Sequence, residues 1–232
     1  MEVSVSAAST ARVDPIHRDD VFVSRLAPGV ASVPSSLVDL FLAHRRGKPW
    51  NETAACTSCK RKVITTRAAE ALGRCGHCRS GNIVQIWDQP RAQAVLVQSM
   101  RETDGSGLTV AWGHVESPQP VLIGFVQMSM IAFKDISGYL GHDVLAEVVT
   151  LMGRHDFYAI IDNLVVADPQ HDDVTALKLL DAAMRQVATK DALTPLVTLV
   201  ESSSLYEAVL AQRRFRLCKR LPDRVLLMGG LT

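Results

Sequence analysis

Four of the five cysteines in this 232-residue chain fall in one pattern: Cys56-Thr57-Ser58-Cys59, fifteen residues, then Cys75-Gly76-His77-Cys78. Two residues between thiolates make a knuckle tight enough to aim both sulfurs at one ion. A hairpin-length gap brings a second knuckle round to complete a tetrahedron. The spacing predicts a four-cysteine zinc ribbon over residues 48–90, with Cys56, Cys59, Cys75 and Cys78 as metal ligands. Four thiolates leave no open position for a water nucleophile, so the expected Zn2+ is structural. Gly76 suits the turn inside the second knuckle, and His77, between two ligands, is expected to point to solvent. The segment holds few large apolar residues, so metal binding is expected to supply most of its folding free energy, about 10 kcal/mol or more.

The same stretch is basic. From His44 onward it carries Arg45, Arg46, Lys48, Lys60, Arg61, Lys62, Arg67, Arg74 and Arg79 against Glu52 and Glu70. The whole chain has a formal charge of only +1, so any nucleic-acid contact has to come from this patch and not from the bulk balance. Arg45, Arg46, Lys48, Lys60, Arg61 and Lys62 are the residues expected to meet phosphates or an acidic protein surface. No aromatic residues alternate with these charges, which favours a solvated ribbon over a platform for stacked bases.

With 47% hydrophobic and 21% charged residues, the chain fits one ordinary globular domain plus an appendage. Its longest apolar runs, residues 121–126 and 159–166, are far shorter than the roughly 20 residues of a bilayer helix. The first fifteen residues, MEVSVSAASTARVDP, have neither a basic start nor a continuous apolar stretch, so no secretory signal is expected and residence is expected to be cytoplasmic. Residues 1–20 show no period of two or 3.6 and read as an N-terminal arm. Such an arm is ordered only when something clasps it, which points to protein partners in an assembly or oligomer.

Residues 21–47 read as a strand, Asp20-Val-Phe-Val-Ser-Arg-Leu26, and a helix capped by Ser35 or Ser36 and ended by Gly47. Residues 94–100, 108–115 and 121–130 read as three strands of an antiparallel meander, broken by Asp104-Gly105-Ser106-Gly107 and Ser117-Pro118-Gln119-Pro120. A helix over 139–152, a buried strand over 157–166 and a long amphipathic helix over 173–188 follow. A strand over 196–200, a helix over 205–213 and a last strand over 224–228 complete the chain.

From about Ala94 onward, the order of these elements resembles the GNAT (GCN5-related N-acetyltransferase) family. The residues that carry the likeness are Val121-Leu-Ile-Gly-Phe-Val126 and Ile161-Asp-Asn-Leu-Val-Val-Ala-Asp-Pro169 leading into a long helix. The resemblance implies an α+β fold: a central mixed sheet flanked by helices over residues 91–232, joined by residues 21–47 and interrupted by the ribbon. It also implies that the strand at Ile161 to Val166 splays from its neighbour to admit the pantetheine of acetyl-CoA. The family's pyrophosphate loop, Arg/Gln-x-x-Gly-x-Gly/Ala, falls with its arginine on Asp172 and its glycines on Thr175 and Leu177. Starting it at Gln170 puts the glycines on Asp173 and Thr175. No glycine occurs between Gly153 and Gly229, and backbone N–H groups at a helix start need one to approach a phosphate closely. Asp172 and Asp173 oppose a diphosphate electrostatically and suit a helix cap instead.

The family's second landmark, Asn-x-x-Ala-x-x-Leu-Tyr-x-x-x-Gly-Phe, falls with its asparagine on Ser203, its acid tyrosine on Leu210 and its glycine on Arg214. Tyr206, one turn earlier, shares that face. Glu147, His142 and His155 have no located partner as bases, and Cys218 reads as a small buried hydrophobe. The expectation is therefore a non-catalytic GNAT-like binding or structural protein, with acetyl-CoA doubtful and no catalytic residues assigned. Its ribbon and arm would make protein contacts, in the manner of similar proteins among bacteriophage virion genes, which adds virion association to the expected locations. The alternative is an acetyl-CoA-dependent N-acetyltransferase with a divergent pyrophosphate loop.

Overall fold

The computed structural model describes residues 21–27, 32–47, 50, 52–59, 62–63, 73–75, 77–101, 107–113, 120–140, 142–168, 173–188, 194–201, 204–221 and 224–229. The expected arm at residues 1–20 lies outside them. In chain order the elements are β1 (Phe22–Arg25), α1 (Ser35–Arg46), β2 (Ala54–Cys56), β3 (Lys62–Val63), β4 (Ile83–Gln85) and α2 (Gln89–Arg101). They continue with β5 (Gly107–Gly113), β6 (Val121–Ala132), α3 (Phe133–Leu140), α4 (His142–Met152), β7 (Phe157–Val166) and α5 (Asp173–Ala188). The last are β8 (Leu196–Glu201), α6 (Leu205–Gln212), β9 (Arg216–Arg220) and β10 (Arg224–Gly229). No described helix is long and apolar enough to cross a membrane.

Seven strands form one mixed sheet in the order β1-β5-β6-β7-β8-β10-β9. The β7–β8 pair is parallel and the other five pairs are antiparallel. α5 covers one face through Thr175, Ala176, Leu179, Leu180, Ala183 and Val187. It sits close because Gly124 offers no side chain: a Cβ there would come within 2.7 Å of the Val165 carbonyl and 3.0 Å of Leu179 Cδ1. On the opposite face, Leu37, Phe41, Leu96 and Phe125 form a core under α1 and α2. Ile136, Val148, Tyr158, Ile160 and Val197 form another under α3 and α4.

Residues 94–100 are not a strand of a meander but the body of α2. The β-branched Val95 and Val97 favour a strand locally, yet Ala92, Leu96, Val97, Ser99 and Met100 are the buried positions, a helical and not a two-residue period. Asp88 caps the helix by accepting the Arg91 N–H at 2.8 Å, and Pro90 fits the first turn. The expected cap of α1 also differs. Pro34 occupies that place with no side-chain bond, and its carbonyl accepts the N–H groups of Leu37 and Val38. Residues 139–152 divide between α3 and α4.

β2, β3 and β4 make a separate three-stranded sheet, inserted between α1 and α2. Its base is fastened to the end of α1. The Arg45 guanidinium lies 5.0 Å from the Trp50 ring, 5.7 Å from Phe41 and 5.8 Å from Trp87. Arg46 donates to the Trp87 carbonyl at 2.8 Å, and Trp87 Nε1 donates to Glu52 at 2.7 Å. Arg45 also pairs with Glu52 at 3.7 Å. Cations sandwiched between aromatic faces and partly desolvated hold such a joint well.

Candidate functional site

Among the described residues, two places bring chemistry-bearing side chains together. The first is the ribbon. The sulfurs of Cys56, Cys59, Cys75 and Cys78 all lie within 4.8 Å of one another, with Cys56 to Cys78 at 3.5 Å and Cys59 to Cys75 at 3.9 Å. A tetrahedral zinc site with Zn–S bonds of about 2.3 Å has S–S edges of about 3.8 Å. The second knuckle closes with the Arg79 N–H on the Cys75 carbonyl at 2.8 Å and with Arg79 itself at φ 58°. Gly81 passes so near that a Cβ would lie 2.5 Å from Cys56 Sγ and 2.8 Å from the Ser58 nitrogen. The thiols are prepared for deprotonation. The Ser80 hydroxyl, then the Ser80 and Gly81 N–H groups, draw Cys78 down to about 5, and the N–H groups of Cys78 and His77 lower Cys75. Donor type, count and spacing all fit a metal ion of the zinc kind. His77 is exposed and outside the group.

The basic residues of the ribbon separate in the structure. Arg45 and Arg46 are built into the joint with α1, and the Nε atoms of both are buried. Lys48, Lys60 and Arg61 lie outside the described residues, as does the side chain of Lys62.

The second place is a wedge in the main sheet. β7 and β8 pair only at Ala159↔Leu196, Ile160↔Val197 and Ile161↔Thr198, where the Thr198 hydroxyl donates to the Ile161 carbonyl at 3.0 Å. Beyond that fork each strand stays with its other neighbour, β7 with β6 as far as Val166↔Gly124 and β8 with β10 as far as Glu201↔Arg224. The separation leaves an open cleft of about 430 Å³. Its walls include Leu164 and Val166 of β7, Val200 of β8, Leu205 and Tyr206 of α6, and Leu40 and His44 of α1, with Trp50 beside them. A β-bulge at Asp162, between the pairs Met128↔Ile161 and Gln127↔Asn163, turns the strand at the fork. Such irregularities re-aim side chains next to ligand sites.

Tyr206 stands inside the wedge, where its hydroxyl accepts the Val166 N–H at 3.2 Å. The position aligned with the family tyrosine does not: Leu210 is fully buried in the core. Ser203 and Asp172 lie outside the described residues, while Asp173 opens α5. Arg214 adopts φ 61° in the turn after α6. Glu147 is on α4, 4.0 Å from Lys219. His155 Nε2 faces the Met152 carbonyl at 2.9 Å, and the side chain of His142 is not described. Burial, then Glu147, pushes the half-buried Cys218 thiol up to about 11.

Four wedge residues were not legible as a site: His44, Trp50, Asp162 and Asn163. The one available signal was the polar Asp162-Asn163 pair inside the otherwise apolar strand at residues 157–166. His44 Nε2 accepts the Trp50 indole N–H at 2.9 Å. Burial, reinforced by Arg45 and opposed by Glu52, lowers its pKa to about 4. A histidine depressed from about 6.5 resists protonation only in the folded state, so stability is complete above pH 6.5 and falls as pH drops toward 4. Acid titration followed by tryptophan fluorescence is expected to show that loss. His44→Phe removes the titrating group, and an unchanged acid profile in that variant would refute the assignment.

No protein-family model matches this chain, and no curated protein matches it by sequence. Solved structures do. A chain of the NatC complex bound to Gag peptide and CoA superposes with a TM-score of 0.52 at 12% identity, covering 92% of this chain and 99% of that one. A mosquito arylalkylamine N-acetyltransferase-like protein, 5b, gives 0.52 at 9% identity, covering 91% and 100%. Arabidopsis thaliana NAA60 in complex with a bisubstrate analogue gives 0.51 at 13% identity, covering 91% and 99%. These likenesses establish architecture. Together with the seven-stranded order and the clustered cysteines, they show that the chain has the fold of the GNAT acetyltransferases, carrying a four-cysteine insertion between its first two helices.

Proposed function

We propose that this chain binds the extended arm of an acyl thioester in the β7/β8 wedge and transfers the acyl group to an amine, with the ribbon held as a structural zinc module. The observation that carries this reading is that the wedge is open. Side chains do not fill the space after Ile161↔Thr198, although a core of this kind ordinarily closes such a void. The Val166 N–H points into it, because it meets the Tyr206 hydroxyl there. The two-residue period of a strand puts the Leu164 N–H on the same edge. A strand edge inside a cleft takes an extended, amide-bearing partner by N–H···O=C pairing, and a pantetheine arm is such a partner. Leu164, Val166, Val200 and Leu205 would flank its apolar segments, and the thioester, when bound, supplies an activated acyl carbon. Tyr206 holds a phenolic proton in the wedge, the group this chain can offer to a departing sulfur.

The first turn of α5 does not fit the nucleotide end. Asp173 stands there and no glycine is available, so the diphosphate lacks both close N–H groups and favourable charge. Acetyl-CoA and acetyl-pantetheine are therefore expected to bind with affinities within about tenfold of each other. Calorimetry decides the matter: no saturable binding of either below millimolar concentration refutes the thioester reading. With a reactive amine panel, Tyr206→Phe is expected to lower kcat about 10²-fold, read as thiol release. An unchanged kcat removes Tyr206 from the reaction.

The same α5 turn favours a second reading, a non-catalytic scaffold that uses the ribbon and residues 1–20 for protein contacts, as in a virion component. Under it, a folded, zinc-loaded protein would be silent with every amine and would not bind acetyl-pantetheine. Nucleic-acid contact through Lys48, Lys60, Arg61 and Lys62 would show as DNA affinity that falls steeply with salt.

A further inference from the structure

Away from both sites, a cavity of about 410 Å³ lies between the end of α4 and the edge strand β9. It is at the other end of the sheet from the wedge. The wedge opens past Thr198 toward Val200, whereas the cavity reaches Met228, which pairs with Val197 before the fork. Its floor and rim are apolar: Met152 and Met228, with Leu151 and Leu217 at 55% and 46% exposed. Single exposed leucines are ordinary. Two on one cavity, beside methionines whose unbranched chains adapt to a partner's shape, make a surface suited to an aliphatic chain.

The same cavity carries cations without acids. Five basic side chains fall between Arg213 and Arg220. Arg213 is paired with Asp181 at 2.7 Å, Arg220 with Glu207 at 3.2 Å and Lys219 with Glu147 at 4.0 Å. Arg214 and Arg216 line the cavity, and among the described residues neither has an acidic partner. Local geometry brings them there. Arg214 follows α6 at φ 61°, a left-handed position where glycine is the ordinary residue. In β9, the pairs Leu226↔Lys219 and Leu227↔Leu217 leave Cys218 over as a bulge. Arg216, opposite Met228, therefore shares the α4 face with Lys219, opposite Leu226, and bulges of this kind re-aim side chains at ligand sites. Lysine and arginine on an edge strand also prevent edge-to-edge pairing, but that role needs no cavity and no apolar floor. Cys218, pushed up to about 11 by burial and then by Glu147, stays a neutral thiol at pH 7 and adds no opposing charge.

We infer that this cavity binds an anionic head, carboxylate or phosphate, carried on an aliphatic chain, with Arg214 and Arg216 taking the head and Leu151, Met152 and Met228 the chain. A planar guanidinium fork meets two oxygens of either head at once, and the volume lies in the range of small-molecule sites. A nucleic acid or an acidic protein surface would use the charges and leave the apolar floor without a partner. A neutral chain would do the reverse. The inference stands apart from the acyl-transfer reading, since it uses none of the wedge residues.

The experiment uses the zinc-loaded full chain, with octanoate, octyl phosphate, octanol and acetate as probes in calorimetry, and methyl chemical shifts to locate them. Octanoate or octyl phosphate is expected to bind at least tenfold more tightly than octanol or acetate, and to move the methyl signals of Leu151, Met152 and Met228. Whichever of the two anions binds more tightly assigns the head. Arg214→Gly suits the left-handed position, so it is expected to keep the thermal midpoint and to weaken the anion about tenfold. Arg216→Gln, on an exposed edge, is expected to do the same. Octanol binding as tightly as the anions, anion affinity unchanged in both variants, or shifts confined to Leu164, Val200 and Leu205 of the wedge would each overturn the inference.

Discussion

Removing the metal is expected to unfold the ribbon and leave the main sheet standing. The apolar cluster of the insertion consists of Ala54, Cys56, Cys75 and Ile83, with Cys78 packed against it, and β3 contributes only two residues. Such a module has little else to offset its chain entropy, and a four-cysteine zinc site contributes on the order of 10 kcal/mol. The purified protein is expected to contain one zinc per chain by elemental analysis. Chelation, or Cys75→Ser, should eliminate the signals of β2, β3 and β4 while the slow-exchanging amides of β6 and β7 persist. One joint links the two responses: with Glu52 released, Trp50 and Trp87 lose their ordering around Arg45, so tryptophan fluorescence should change with the metal. A ribbon that keeps its amide protection after complete metal loss would contradict this account.

Phe41→Ala carries the second large effect. Phe41 is fully buried. It packs edge-on against Trp87 at 5.1 Å between centroids and against Phe125 at 6.4 Å, with the Arg45 guanidinium over its ring. It thus belongs at once to the core under α1 and to the joint that fastens the ribbon. Deleting a buried phenyl ring costs about 3–5 kcal/mol, which in a chain of this length lowers Tm by roughly 10 °C. Leu151→Ala, at a side chain 55% exposed, is the control and is expected to shift stability by less than about 0.5 kcal/mol. Thermal unfolding of the two variants checks the difference. Equal shifts would mean that Phe41 is not the pivot described.

Local rules read the ribbon and the later part of the fold well. Metal ligands must lie close in sequence to form a knuckle, so the cysteine pattern carries its own geometry. The helix at residues 173–188 shows a long, clean period and the strand at 157–166 a nearly unbroken apolar run, and both appear at those bounds as α5 and β7. The segment around Val95 and Val97 failed for the opposite reason. Short-range β propensity outweighed a helical burial period that becomes plain only once the faces of β5 and β6 exist to receive Leu96 and Met100.

The candidate site divides in the same way. Missing glycines and the aspartate opening α5 are facts of composition and needed no structure. Tyr206 was visible only as a residue one turn from an expected position, and the fork at Ile161↔Thr198 decides that its hydroxyl enters the wedge. The cavity at β9 could not be found from sequence at all, because its walls join Leu151 and Met152 of α4 to Arg214 and Arg216 beyond α6. The amino-acid order by itself determined the pairing of the four clustered cysteines, the period of the long helix and the charge at the start of α5, since each depends on neighbours within a few turns of chain. The opening between β7 and β8, and the cavity between α4 and β9, came only with the tertiary structure. Both are made by elements distant in the chain.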